Sequence, residues 1–448
     1  MNARPCGAFI IFFTLVAGSF SGCSSSEPLT CLFTESQLRS GSPDFTYDTF
    51  SYPSERASRL ELFLQVGYFV LNFTKDSEGY SARYTASVTF LSDDELVKSE
   101  AWTEALHVTS FDETRGRTYN VSRRLFQLNP GSYRLTVEIV DENSLRRLQK
   151  FKTVVVPNYA KQSVAVSSPT VGTRRIQEDR YVLPAVNREI VDGSDTVYVQ
   201  FEVKSSKPTE ELRVTYRLTF SQRKASHVAK PEFHEPFPGR LEEVDTSSIV
   251  VDTVVTTTDH AVVLQRPFEI VRNSSCRLNV VVQPANAAVS TDSTIAVATR
   301  GFVVRPVGFP DVISIDDQIL PLVYIATDAE FQTLEKANTG EEKKQLLQEF
   351  WSDHVDRDLF YERIRYANRY FTCKNEGWMT FPGYIYIVVG PPDYVECFPG
   401  VERWVYTSPS LDIRFQWRQE VEGDRECRFT DGYIDPIYLD RYVARWRK

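Results

Sequence analysis

The sequence predicts a mostly β protein, with two tandem immunoglobulin-like β-sandwich domains followed by a small α+β domain at the C-terminal end. Aromatic residues are abundant, with 29 Phe and 22 Tyr, and aromatic side chains favour strands. Between residues 58 and 306, apolar and polar residues alternate with a period of two, as in half-buried strands. From residue 327 onward, apolar residues recur at the spacing of amphipathic helices.

The alternation is clearest along four predicted strands. In the first β region, the apolar faces are Tyr84, Ala86, Val88 and Phe90, and then Tyr133, Leu135, Val137 and Ile139. In the second region they are Val197, Val199, Phe201 and Val203, and then Leu212, Val214, Tyr216, Leu218 and Phe220.

The helical part of the C-terminal domain opens with two capping boxes. Thr327 with Glu330, and Thr339 with Glu342, have the Ser/Thr-x-x-Glu spacing that satisfies the first N–H groups of a helix. Strands are predicted at residues 322–325 and 384–389. Two apolar helix stripes should pack on the sheet: Leu347, Phe350, Trp351 and His354, and then Phe360, Ile364, Ala367 and Phe371. On such a stripe, His354 is interpreted as a core histidine.

Composition excludes several classes of protein. A length of 448 residues suggests about three domains, and 42% hydrophobic with 25% charged residues is typical of a globular chain. The net charge of −9 argues against a nucleic-acid partner, because phosphates attract a basic surface. Five scattered histidines argue against a histidine-ligated metal centre.

The first 23 residues predict the location of the protein. Arg4 precedes an apolar stretch at residues 8–17 and then small residues, the pattern of a secretory signal. This stretch is shorter than the roughly 20 apolar residues of a membrane-spanning helix. Phe20-Ser21-Gly22-Cys23 resembles the bacterial lipobox, in which the cysteine receives lipid and becomes the mature N-terminus.

The lipobox resemblance implies a protein of the bacterial cell envelope that is anchored to the membrane through lipid on Cys23. Ser24 after the cysteine is similar to the signal for the outer membrane. The alternative is a soluble secreted protein cleaved near Ala17-Gly18.

These features divide the chain into five segments. They are a lipoprotein signal peptide at 1–22, the lipidated cysteine and a tether at 23–57, β-sandwich domains at 58–160 and 161–310, and an α+β domain at 311–448.

Five cysteines of the mature chain remain besides Cys23, and an odd number leaves at least one unpaired. Their pairing is open among Cys31, Cys276, Cys373, Cys397 and Cys427. A bridge from Cys397 to Cys427 or from Cys373 to Cys397, or no bridge at all, fits the spacing.

A motif in the last third of the chain resembles a known family. Gly377-Trp378-Met379-Thr380, followed by Gly383, Tyr386 and Gly390-Pro391-Pro392, is similar to the GWxTD domain of bacterial envelope proteins. Flanking sequences around Arg363, Asn368 and Trp404 to Tyr406 have counterparts in that family. Phe381 stands where the family has its eponymous Asp. The resemblance implies location and fold, and no activity.

Two roles remain open for this motif. In the first, glycine ends a helix and Trp378 fills the interface between helix and sheet, so that the motif is a scaffold. In the second, polar side chains converge beside aromatic rings to hold a sugar or a peptide end. The candidate residues are Arg363, Asn368, Gly377, Trp378, Thr380, Gly383, Tyr386, Gly390, Pro391, Glu402, Trp404 and Tyr406.

No established catalytic motif is present. The sequence contains no G-x-S-x-G, G-x-G-x-x-G, Walker or H-E-x-x-H pattern, and Ser221-Gln222-Arg223-Lys224 fits S-x-x-K without its companion motifs. We therefore predict no catalytic residue, cofactor, metal or nucleotide.

Two functions from different classes remain. The first is a non-enzymatic binding or scaffold module of the envelope, with a protein or glycan partner. The alternative is a glycan- or peptide-acting hydrolase, which would need two opposed carboxylates in one cleft.

Overall fold

The computed structural model of the protein describes residues 29–32, 45–54, 58–115, 118–176, 181–191, 196–207, 209–223, 243–257, 261–271, 274–286, 294–372, 376–398, 401–407, 410–419, 425–433 and 436–447. The predicted signal peptide and Cys23 lie outside these residues. Among the helices of the described residues, none has the length and apolar character needed to cross a membrane.

The first β region forms a sandwich of two antiparallel sheets, with strand orders β2-β3-β7 and β4-β5-β8-β9, and with β6 also paired to β5. The elements from the start of the described chain are β1 (Leu29–Leu32), β2 (Phe45–Tyr52), β3 (Ser58–Gly67), β4 (Thr74–Lys75), β5 (Tyr80–Ser92), β6 (Glu95–Val108), α1 (Phe111–Arg115), β7 (Tyr119–Leu128), β8 (Gly131–Asp141) and β9 (Arg147–Val156). The predicted inward faces of β5 and β8 are buried in one apolar core between the sheets.

The second β region repeats this architecture with its own core. One sheet has the order β14-β20-β19-β16-β17, and the other has β10-β15-β11 with β18 on β15, beside the pair β12-β13. The strands are β10 (Val164–Val166), β11 (Thr170–Gly172), β12 (Arg174–Ile176), β13 (Tyr181–Leu183), β14 (Glu189–Ile190), β15 (Thr196–Ser205), β16 (Glu211–Arg223), β17 (Glu243–Thr256), β18 (Ala261–Glu269), β19 (Ser274–Pro284) and β20 (Ala296–Val304). The predicted inward faces of β15 and β16 are buried.

The C-terminal region combines helices with an antiparallel sheet of order β1-β21-β22-β23-β24. Its elements are α2 (Ile315–Ile319), α3 (Asp328–Lys336), α4 (Gly340–Ser352), α5 (Arg357–Tyr370), α6 (Phe381–Val388), β21 (Tyr394–Phe398), β22 (Val401–Thr407), β23 (Ser410–Gln419), β24 (Arg425–Tyr433) and α7 (Pro436–Ala444). Short 3-10 helices occupy Leu320–Tyr324 and Gly377–Met379. The predicted fold class, two tandem sandwiches and an α+β module in a mostly β chain, is confirmed.

Local signals of the helical part are confirmed. Thr327 and Glu330 form the complete capping box of α3, and the Thr339 hydroxyl accepts from the Glu342 N–H at the start of α4. Both predicted helix stripes are buried. The His354 ring stacks on Phe350, with 3.8 Å between ring centroids, and its Nδ1 lies 2.7 Å from the Phe350 carbonyl oxygen.

Two predicted strands are wrong. Residues 322–325 lie in and just after a 3-10 helix, and residues 384–389 belong largely to α6. A short continuous apolar run has no periodicity that distinguishes a buried helix from a buried strand. Thr380 at the N-cap and Pro382 in the first turn mark the start of α6.

The segment 23–57 contains more structure than a tether. β2 is a strand of the first sandwich, and β1 pairs antiparallel with β21, with Leu29 opposite Cys397 and Leu32 opposite Tyr394. The N-terminal strand therefore completes one edge of the C-terminal sheet.

The order of strands in the C-terminal sheet gives the separation of the two cysteines in β21 and β24. β21 and β24, which carry Cys397 and Cys427, are separated by two strands, a distance of about 14 Å at the usual spacing. A disulfide needs Cα atoms within about 7 Å, so this strand order argues against the Cys397 to Cys427 bridge, and the pairing stays open. Cys276 is a buried free thiol, and burial raises its pKa to about 12. Cys373 lies outside the described residues.

Candidate functional site

The GWxTD-like motif forms a buried 3-10 turn beside α5. Trp378 is 2% exposed, and its indole N–H donates to Glu376 Oε2 at 2.8 Å. The Tyr324 hydroxyl donates to the Trp378 carbonyl oxygen at 2.8 Å, and the two rings meet edge to face at 5.9 Å. Trp378 therefore fills the core of the helical layer.

Two polar candidates of the motif bridge backbone segments. Asn368 accepts from the Trp378 N–H at 3.1 Å through Oδ1 and donates to the Pro310 carbonyl oxygen at 3.0 Å through Nδ2. The Thr380 hydroxyl donates to the Gly377 carbonyl oxygen at 2.7 Å and accepts from the Gly383 N–H at 3.2 Å. Asn368 is 1% and Thr380 2% exposed, so their hydrogen bonds are made inside the domain.

The glycines of the motif permit a close approach of backbones. A Cβ on Gly377 would lie 1.7 Å from the Ala367 carbonyl oxygen, and a Cβ on Gly383 would lie 1.8 Å from the Gly377 carbonyl oxygen. The φ of Gly377 lies outside the left-handed region, so this position requires glycine for the close approach and not for a left-handed helix end. Gly390, in contrast, has φ of +108° where the chain leaves α6.

A second group of candidates surrounds Gly390. The half-buried Arg363 donates to the Ile387 carbonyl oxygen at 2.9 Å, and its guanidinium lies 5.4 Å from the ring centroid of Trp446. The buried Tyr406 hydroxyl donates to the Gly390 carbonyl oxygen at 3.0 Å. Pro391 is exposed directly after Gly390.

Aromatic candidates complete the core. Tyr386 stacks on Tyr366 with 4.4 Å between centroids, and buried Trp404 contacts Phe371 at 5.5 Å. Burial raises the pKa of Tyr324 and Tyr406 well above the ordinary value of 10, so neither phenol ionises near neutral pH. Glu402 belongs to β22, and its side chain lies outside the described residues.

Phe381 places an apolar side chain where the GWxTD motif has Asp. It is the first residue of α6, is buried, and lies 6.4 Å from Tyr384 between ring centroids. The motif residues are thus brought together, but as a packed assembly rather than an open pocket.

Buried carboxylates of this domain are also held by neighbours. Glu376 accepts from Trp378, and Arg403 Nη1 donates to Glu396 Oε2 at 2.6 Å. Within the part of the chain that the structure describes, no three His, Cys, Asp or Glu side chains lie together as a metal ion would require.

An open cavity lies elsewhere, between the two sandwiches. This junction cleft has a volume of about 360 Å³ and is lined by residues of β2, β3 and β7 on one side and of β11, β13, β15 and β18 on the other. Its charged residues are Arg59, Glu61, Arg123 and Glu202. Sequence analysis missed them, because outward-facing charges on alternating strands have the pattern of a solvated face.

Comparisons with known proteins cover different parts of the chain. Residues 287–447 match the GWxTD domain family. This match begins before residue 311, the predicted start of the domain, and includes β20. No curated protein matches the sequence.

Among solved structures, the chain is similar to a Bacteroides uniformis β-glucuronidase at 10% identity, over 73% of this chain and 40% of that one, with a TM-score of 0.21. Red sea bream transglutaminase has 8% identity over 58% of this chain and 31% of its own, with a TM-score of 0.17. Fibronectin(III)-like modules of Clostridium thermocellum CbhA have 12% identity over 57% of this chain and 88% of theirs, with a TM-score of 0.14.

Proposed function

We propose that the protein is a lipid-anchored protein of the bacterial cell envelope, on the basis of the match of residues 287–447 to the GWxTD domain family. In this proposal the GWxTD domain acts as a non-enzymatic binding or scaffold module, and its partner is an envelope protein or glycan.

The scaffold role is supported by the hydrogen bonds of the motif, which its residues make within their own domain. Asn368, Thr380 and the Trp378 indole all bond to groups of the same domain. Catalysis needs polar groups directed at a substrate position, and these groups are directed at backbone or at Glu376. The motif therefore supports a rigid module.

The position of β1 supports an anchor that acts on this domain. Leu29, the first residue of β1, follows Cys23 by six residues, and β1 pairs with β21 of the domain. Six residues span at most about 20 Å when fully extended. Lipid on Cys23 would therefore hold the edge of the C-terminal sheet close to the membrane surface.

The anchor is tested by expressing the full chain, with its own signal, in a bacterium with an outer membrane. After labelling with an alkyne fatty acid, we expect label on the wild-type protein and on Cys31→Ser, with both in the outer-membrane fraction. Cys23→Ser should carry no label and leave the membrane, because the acyl chain supplies the affinity. Label retained by Cys23→Ser would contradict the proposal.

The same cells test the binding role. After cross-linking, repeated purification of the lipidated protein in detergent is expected to recover one consistent partner, and recovery of none contradicts the role. Purified protein should leave labelled peptidoglycan and peptides intact. Turnover that Glu376→Gln or Glu396→Gln removes in a folded protein would establish the hydrolase instead.

A further inference from the structure

The junction cleft has charged groups from both sandwiches in its walls. Arg59 Nη2 lies 3.0 Å from Glu202 Oε2, an ion pair between β3 and β15. Arg59 Nε lies 3.6 Å from Glu61 Oε1, and Arg123 Nη2 lies 2.8 Å from the same oxygen. Two cations therefore face two anions, and the charges of this network balance.

Aromatic rings hold both guanidinium groups. The Arg59 guanidinium lies 4.7 Å from the ring centroid of Tyr52, and that of Arg123 lies 4.7 Å from the ring centroid of Tyr181. Such stacking restricts the rotamers of arginine. The side chains of Arg59 and Arg123 are nevertheless 40% and 33% exposed, so part of each reaches the open volume.

The network leaves hydrogen-bonding capacity unused. Nε of Arg59 and Nε of Arg123 are shielded from solvent and have no acceptor within hydrogen-bond distance. Unpaired donors of this kind are uncommon in folded proteins. Because solvent does not reach these two atoms, an occupant of the cleft would bond to the exposed part of each arginine side chain.

The balanced charges of the network favour an uncharged ligand. An anion would compete with Glu61 and Glu202 for the arginines, and a cation would compete with the arginines for the carboxylates. Either would leave a partly buried charge without its partner, which is costly. A hydroxyl group both donates and accepts, so it can bridge an arginine and a glutamate without separating them.

We propose that the junction cleft binds a neutral saccharide of one or two rings. Its hydroxyl groups would bond to Arg59, Arg123, Glu61 and Glu202, which line the cleft together with the half-buried Tyr181. The volume of about 360 Å³ lies at the small end of the range of about 300–1,000 Å³ for small-molecule sites. This site requires neither the lipid anchor nor the GWxTD domain.

The test is a titration of the full mature chain, followed by saturation-transfer NMR, with glucose, N-acetylglucosamine, cellobiose and maltose. Glucuronate serves as the anionic comparison. We expect at least one neutral sugar to bind with a dissociation constant of millimolar or below. Arg123→Met should weaken that binding at least tenfold, because it removes the guanidinium and keeps the apolar stem.

Matched variants separate binding from folding. Arg134 stacks on Phe151 at 5.2 Å, away from the cleft, so Arg134→Met should bind the sugar as the wild type does. Val263 lines the cleft and is 57% exposed. Val263→Trp fills the opening without removing an ion pair and should abolish sugar binding. Val254 lies on β17 and is 58% exposed, and Val254→Trp should leave sugar binding unchanged.

Three results would overturn the proposal. They are the absence of binding by all four neutral sugars, binding by glucuronate alone, and unchanged sugar binding by Val263→Trp with a native circular dichroism spectrum.

Discussion

Single glycine residues determine how closely the backbones of the helical layer approach one another. Gly377 and Gly383 lie where a side chain would overlap carbonyl oxygens, so the 3-10 turn, α5 and α6 can approach as closely as they do. Trp378 and Asn368 then bond across the same contact. At Gly377 and Gly383, only glycine fits, because the neighbouring backbone leaves no room for a Cβ atom.

Gly377→Ala is expected to destabilise the protein by about 3 kcal/mol, because the new Cβ would overlap backbone rather than a movable side chain. The control is Gly340→Ala in the first turn of α4, where no atom lies within 4 Å of the added Cβ. That control should be neutral or stabilising by about 0.5 kcal/mol. Urea unfolding at pH 7 measures both, and equal effects would contradict the close-approach argument.

At the scale of elements, the end of the chain is joined to the start of α3. Arg447 follows α7, and its Nη2 donates to Glu330 Oε2 at 2.7 Å. Burial acts to raise the pKa of Glu330, but hydrogen bonds from the Thr327 N–H and from Arg447 outweigh it and lower the pKa to about 2. The capping box and the C-terminal segment thus share one carboxylate.

Arg447→Met is expected to raise the pKa of Glu330 from about 2 toward the ordinary value of 4.5. Since the folded pKa is depressed, this carboxylate stabilises the fold above pH 4.5 and loses its contribution as pH falls toward 2. NMR titration of the labelled carboxyl group measures the change. Arg445→Met removes the guanidinium group stacked on Tyr442 and should leave the pKa of Glu330 unaltered. An equal pKa of Glu330 in the two variants would refute the coupling between Arg447 and Glu330.

At the scale of the whole molecule, a buried ion cluster joins the two sandwiches. Asp48 of β2 lies 2.5 Å from Arg300, 3.2 Å from Arg188 and 3.8 Å from Lys152. Phe50, Tyr52, Phe63 and Val186 form an apolar patch at the same junction. Burial acts to raise the pKa of Asp48, but the three cations, Arg300 first, outweigh it and hold that pKa below its ordinary value.

Asp48→Asn is expected to cost about 3–5 kcal/mol at pH 7, because it keeps the shape and removes the one carboxylate charge that attracts all three cations. The folded pKa is depressed, so the stabilisation is complete above the ordinary pKa of 3.8 and declines as pH falls below it. Urea midpoints of wild type and variant should therefore differ widely at pH 7 and converge toward pH 2.

An exposed ion pair provides the control for Asp48. Asp311 lies 2.6 Å from Arg365, and both side chains are about half exposed. Asp311→Asn should cost less than about 1 kcal/mol. Equal losses for the two variants would contradict the role of burial at the junction.

The sequence by itself determined the features that depend on near neighbours. The inward faces of β5, β8, β15 and β16 follow from alternation, and the starts of α3 and α4 follow from Thr327 and Thr339. These signals need only a few consecutive residues, because a strand or a helix end is a local structure.

Only the tertiary structure decided the features that depend on contacts between residues far apart in the sequence. The apolar run of α6 became a helix in the packed domain, and β1 joined a sheet more than 350 residues away, from Leu29 to Cys397. Arg59 and Glu202 meet although 143 residues separate them. A charged residue on an outward face has the same sequence pattern whether water or another domain covers it, so the junction cleft exists only in the folded chain.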